Sequence, residues 1–261
     1  MAYVPHITIQ SANRIGQVEP MLQSLKPLIP TWYVPARQAE AYRLAGAKVR
    51  AVEGSLPMKP KQQNAALEDG FAEGRTVVCM DDDFIKAQMR DWDHPDSFVV
   101  VNVPLGYVIK EMVQELENSN KYLAINAHMF NMRWSRPDPG GWGMGAGVLM
   151  VHKPNELRYD EQMNDTEDLD MVIQHHLHYG GIVKLRKFNA EFHFHRPHFE
   201  GKKTKKDQNY NGGYEGHRTD ETVAGTVEYL RSKYPFLKFE DVGVNENMFK
   251  NIKWRDFYRE D

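Results

Sequence analysis

The run Thr76-Val77-Val78-Cys79-Met80, followed at once by Asp81-Asp82-Asp83, constrains this chain more than any other feature. Five consecutive apolar or β-branched residues suit a short strand buried on both faces, as in the middle of a parallel sheet. Three acids in a row cannot extend such a core, so the strand ends there with its carboxyl end open to solvent or to a cation. Upstream, strand and helix signals alternate. His6 to Gln10 has strict period-two alternation and runs into the polar loop Ser11-Ala12-Asn13-Arg14. A helix is expected over 19–28, a strand at Trp32-Tyr33-Val34, a helix over 36–45 stopped by Gly46, a short strand over 48–52 and a helix over 62–70. This β-α-β-α-β-α-β order predicts an α/β fold with a mostly parallel sheet covered by helices.

The second half is less regular. It predicts a helix over 107–118, strands over 121–127, 145–151, 182–188 and 190–194, and a helix over 166–179 whose Leu169, Val172, Ile173 and Leu177 share one face. The segment 200–216 is polar, basic and glycine-rich and reads as a mobile loop, with a last helix over 219–233. No repeat or linker divides the chain, which reads as one domain, 1–261, with a C-terminal extension. A net charge of −3 excludes a polyanion binder that works by overall charge, so any such attraction must be local. The single cysteine, Cys79, rules out a disulfide within the chain. No basic leader and no long apolar run is visible, so a cytoplasmic protein without membrane contact is expected.

Several groups could carry chemistry. Asp81 and Asp83 point the same way in an extended segment and form the expected metal face for Mn²⁺ or Mg²⁺, which prefer oxygen ligands. Asp82 then faces a ribose or sugar hydroxyl. A solvated turn with incidental acids is the plainer alternative. Glu167 and Asp168 open an amphipathic helix; they either cap it or supply a general base to an acceptor hydroxyl. His193 and His195 share a strand face and could complete a metal site built mainly of oxygens. His175, His176 and His178 read as structural. Lys202-Lys203-Thr204-Lys205-Lys206 is a solvated loop or a phosphate contact, and Lys59 and Lys61 are smaller candidates for a diphosphate. Trp142, among the glycines of 140–147, could stack on a sugar or base. Neither a dinucleotide fingerprint nor a P-loop is present.

In their order, these pieces resemble a glycosyltransferase of the GT-A fold. The matching segments are 7–14, Lys61 to Ala66, Asp81 to Asp83, 143–150, Glu167-Asp168, and His193 or His195, over roughly residues 5–200. The resemblance implies a Rossmann-like sheet, a nucleotide-sugar-binding half over 1–90, an acceptor-side half over 91–200, and a basic loop with a helical extension over 201–261. It implies a nucleotide-sugar donor such as a UDP-sugar, with Ser11, Arg14 and Asp82 near the nucleoside and sugar. Asp81, Asp83 and His193 or His195 would then lie on the metal, and Asp168 would be the base of an inverting transfer. Within that fold the chain is similar to compact phage-type DNA glycosyltransferases related to the TET-associated branch. That implies a hydroxymethylated pyrimidine in DNA as acceptor, approached by the 202–206 lysines. The rivals are a metal-dependent nucleotidyltransferase, a non-catalytic nucleotide-sugar or nucleic-acid binding module, and the same transferase acting on protein or glycan hydroxyls.

Overall fold

A computed structural model of the chain describes residues 4–55, 57–90, 100–126, 149–163, 167–185, 188–192 and 220–236. In chain order the elements are β1 (His6–Gln10), α1 (Val18–Leu25), β2 (Thr31–Pro35), α2 (Ala39–Leu44), β3 (Lys48–Val52), α3 (Met58–Ala72) and β4 (Val77–Asp81). They continue with β5 (Phe84–Arg90), β6 (Val100–Val103), α4 (Leu105–Glu117), β7 (Leu123–Asn126), β8 (Leu149–His152), α5 (Glu167–Tyr179), β9 (Val183–Leu185), β10 (Phe188–Phe192) and α6 (Asp220–Lys233).

Seven strands form the central sheet in the order β3-β2-β1-β4-β8-β7-β9. All its pairs are parallel except the two made by β8. This is the mostly parallel, helix-flanked sheet expected of a Rossmann-like GT-A fold. Alternation along each strand divides the apolar residues between the two faces. Ile7, Ile9, Val78, Met80, Leu149 and Val151 join α1, α2 and α4 in one core. Val77, Cys79, Met150, Leu123 and Ile125 join α3 and α5 in the other. No helix among the described residues is long and apolar enough to cross a membrane.

Several expectations shift. α3 begins at Met58 rather than near residue 62, because Pro57 is extended and starts the helix directly. The helix expected over 36–45 opens with a 3-10 turn, Ala36–Gln38. On α5 the buried stripe passes through His176, three residues beyond Ile173, and leaves Leu177 half-exposed. The antiparallel sheet β10-β5-β6 was not foreseen. β5 alternates Lys86, Gln88 and Arg90 with Ile85, Ala87 and Met89, but its partner β10 lies about a hundred positions away in sequence, so no local turn announces that pairing.

One close approach gives a sharp test. A Cβ built on Gly70 of α3 would lie 2.3 Å from Cγ2 of Val77 and 3.3 Å from the Cβ of His6. Both neighbours sit on central strands, and valine has little rotamer freedom with which to yield. Gly70→Ala should therefore cost about 1–3 kcal/mol, read as a lower urea midpoint at unchanged slope. Gly225→Ala on α6, where nothing lies within 4 Å, should instead be neutral or gain up to about 1 kcal/mol.

Candidate functional site

The strand order reverses between β1 and β4. The chain leaves β1 toward β2 with α1 on one face, and it reaches β4 through α3 on the other. Such a reversal opens a crevice at the carboxyl ends of the two strands. Gln10 is level with Asp81 in the β1–β4 register, so the loop after β1 stands beside the three aspartates.

That loop is held from three sides. The side-chain amide of Gln62 on α3 donates to the carbonyls of Ser11 (2.8 Å) and Tyr33 (2.9 Å). Asn13 adopts a left-handed backbone (φ 58°), which asparagine tolerates. Its N–H donates to Gln38 Oε1 at 2.7 Å, and the Gln38 amide returns a bond to Asn13 Oδ1. Tyr42 of α2 supplies the third hold. An ionised Asp82 can only accept, so Ser11 Oγ donates to it. Ser11 must then accept from the Tyr42 hydroxyl, 2.6 Å away, while that hydroxyl accepts the Arg14 N–H at 3.0 Å.

The carboxylates fall into two sets. β4 ends at Asp81, and Asp82 and Asp83 form the tight turn into β5, so extended alternation stops there. Asp82 and Asp83 share the Arg14 guanidinium at 2.7 and 2.9 Å, and both are buried. Asp81 faces Lys59 of α3, whose ammonium lies 3.0 Å from one of its oxygens and 3.3 Å from the other. The same ammonium lies 2.9 Å from Glu167 Oε1 at the start of α5. Burial pushes Asp82 up to about 6 against the pull of Arg14, and burial likewise raises Asp81 against Lys59. Burial opposes the charge on Arg14, but Asp82 and Asp83 outweigh it and hold the guanidinium firmly protonated.

The structure thus brings together Ser11, Arg14, Asp81, Asp82, Asp83 and Glu167. Asp82 is engaged through both oxygens, by Ser11 and Arg14, rather than turned toward a ligand hydroxyl. Asp168 is part-buried beside Glu167, and its Oδ1 accepts the N–H of Leu169. Lys61 lies apart: its ammonium donates to the Ser55 carbonyl at 2.6 Å and packs over Gly54. Lys59, one helical half-turn earlier, is the lysine that reaches the acids. Trp142, His193, His195 and the 202–206 lysines lie outside the described residues.

Two features escaped the sequence reading. Tyr42 looks like any helix aromatic until the loop folds over it. Asp170, three residues beyond Glu167 on α5, is fully buried. It accepts from Tyr234 at 2.6 Å and Gln174 at 2.7 Å, and Lys233 stands 2.8 Å away. Lys233 and Tyr229 also reach Asp160, at 2.7 and 2.8 Å, so α6 is tied to α5 and to the segment before it. Asp170 falls on the buried face at i+3 from Glu167, a signal the spacing carries.

Among the described residues no three acids or histidines stand as a ready metal cluster. The donor chemistry nevertheless suits a hard divalent cation. Asp81, Asp82, Asp83 and Glu167, bonded to Arg14 and Lys59, offer oxygen donors of the kind that Mn²⁺ or Mg²⁺ prefers.

The sequence matches no family model and no curated protein. Among solved structures, it is similar to S. aureus TarS, residues 1–349, with a TM-score of 0.46 and 11% identity over 71% of this chain. The chain spans 58% of that structure's length. It is also similar to 4-diphosphocytidyl-2C-methyl-D-erythritol synthase from Anaerococcus prevotii, with a TM-score of 0.41 and 7% identity over 88% of this chain and 97% of that one.

Proposed function

We propose that the chain is a metal-dependent glycosyltransferase that moves a sugar from a nucleotide diphosphate, a UDP-sugar, to a hydroxyl acceptor. The observation that carries this reading is the gathering of Asp81, Asp82, Asp83 and Glu167 with Arg14 and Lys59 where β1 and β4 part. When bound at Asp81 and Asp83, with His193 or His195 as a further ligand, Mn²⁺ or Mg²⁺ would neutralise a leaving diphosphate. Arg14 adds fixed positive charge beside that position. Ser11 and Tyr42 hold the β1 loop and Asp82 in place. Asp168 is the proposed base, since Glu167 is taken up at the position that Lys59 occupies. The proposed acceptor is a hydroxymethylated pyrimidine in DNA, with the lysines of 202–206 against its phosphates. Reaching the base would cost a few kcal/mol of unstacking.

The test is a panel of nucleotide-sugars incubated with Mn²⁺, with and without hydroxymethylated DNA. Release of UDP, a mobility shift of the modified DNA and a loss of about a hundredfold or more in Asp83→Asn are expected. Pyrophosphate released from a nucleoside triphosphate would replace this reading with a nucleotidyltransferase. Donor turnover without any DNA shift would move the acceptor to a protein or glycan. No metal-dependent turnover of any donor would overturn the transferase.

A further inference from the structure

We infer that Lys59 is the resident counter-ion of Asp81 and Glu167, and that its ammonium exchanges with the divalent cation rather than standing beside it; this rests on the metal reading above. An ammonium has three N–H donors. Here three carboxylate oxygens surround it, two from Asp81 at 3.0 and 3.3 Å and one from Glu167 at 2.9 Å. They come from β4 and α5, while the lysine comes from the first turn of α3. Asp81 and Glu167 are like charges, and with Glu167 buried they would repel at this spacing if no cation stood between them.

These oxygens supply part of the shell a divalent cation takes, the rest coming from water or phosphate, once drawn inward by about 1 Å from ammonium to metal distance. Lysine and metal therefore compete for one position. Two observations favour exchange over a permanent structural bridge. The Lys59 and Asp81 side chains are each 23% exposed, so solvent ions reach them, whereas the Arg14 bridge to Asp82 and Asp83 is more deeply enclosed. Lysine also carries its charge on a flexible four-carbon stem, which can swing aside without moving α3. Asp82 keeps Arg14, while Lys59 is released toward the incoming diphosphate.

The experiment measures Mn²⁺ alone binding to the full chain by calorimetry, with thermal unfolding followed in Mn²⁺ and in EDTA. Wild type is compared with Lys59→Met and with Lys59→Met/Glu167→Gln. Removing a positive charge that holds the metal's place should tighten Mn²⁺ binding by about tenfold or more. It should also widen the gap in melting temperature between Mn²⁺ and EDTA. The added Glu167→Gln change should reverse most of that gain. Equal or weaker binding by Lys59→Met, with wild type still binding Mn²⁺, would overturn the exchange and leave the metal reading standing. If neither protein binds Mn²⁺, the metal reading falls and the inference with it. Should Lys59→Met fail to fold in EDTA, folding regained in Mn²⁺ supports exchange, and failure in both buffers overturns it.

Discussion

Arg14→Met should lower the stability of this protein by about 3–5 kcal/mol, measured by chemical denaturation at pH 7.5. The guanidinium lies 2.7 Å from Asp82 and 2.9 Å from Asp83, and those side chains are 3% and 4% exposed. Without it, two neighbouring buried carboxylates lose the positive charge they share. The cost is that of stranded charge, not of a lost attraction, so it can be removed from the other side. Arg14→Met combined with Asp82→Asn and Asp83→Asn should recover more than half of the loss, a non-additivity that a purely steric role for Arg14 would not produce. For comparison, Arg43→Ala, which removes an exposed pair with Glu40 at 3.3 Å, should fall within about 0.5 kcal/mol of wild type. An Arg14→Met protein as stable as wild type would contradict the buried triad of charges.

The second large effect is on acid stability. Burial pushes His175 down to about 4 despite its bond to the Met171 carbonyl, with His176 and His178 adding to the depression and Glu156 opposing it. Burial, with Lys121 nearby, brings His176 to about 4 as well. His152, whose ring centroid lies 6.0 Å from that of His175, is held well below its ordinary value by burial, then by His175 and Arg158. Tyr159 and Tyr179 close the cluster. The unfolded imidazoles take protons near pH 6.5, whereas the folded ones refuse them until about 4, so the unfolded state binds more protons across this window. Stability from His175 and His176 is therefore complete above about 6.5 and is lost as pH falls toward 4, by about 3 kcal/mol for each of the two.

Asp82 works in the opposite sense. Raised to about 6, it is protonated in the folded state before the unfolded carboxyl is, so it favours the native state as pH falls from about 6 to 4. A comparison with His175→Phe removes that offset, because Asp82 is common to both proteins. The variant keeps a ring but cannot take a proton. The difference in unfolding free energy between wild type and variant should shift by about 3 kcal/mol from pH 7 to pH 4, against wild type in acid. Parallel pH profiles would contradict a neutral, buried His175.

Much of the architecture was legible because it is written in local periodicity. The alternation of His6 to Gln10 and the apolar run ending in Asp81 each describe one strand, and the helices between them force parallel crossovers. Boundaries moved by a few residues where a proline or a 3-10 turn decided them, as at Pro57 and Ala36. The small sheet in which β5 pairs with both β6 and β10 was not anticipated. The alternation from Ile85 to Arg90 is strand-like, but the register of β5 against β10 joins residues about a hundred positions apart, which local pattern does not specify.

For the site, the sequence by itself determined which acids are present and that the strand of Val77 must stop at them, because charge cannot continue through an apolar layer. It also placed Glu167 at the start of a helix. Only the tertiary structure decided how those acids are shared. The turn after Asp81 sends Asp82 and Asp83 to Arg14, and leaves Asp81 to meet Glu167 through Lys59. Likewise Lys61, as plausible from sequence as Lys59, points back to its own loop. Two residues along a helix turn a side chain by about 200°, so which lysine faces the crevice depends on how α3 lies against the sheet. Composition names the charges, but the crossing of α3 and α5 over the end of β4 pairs them.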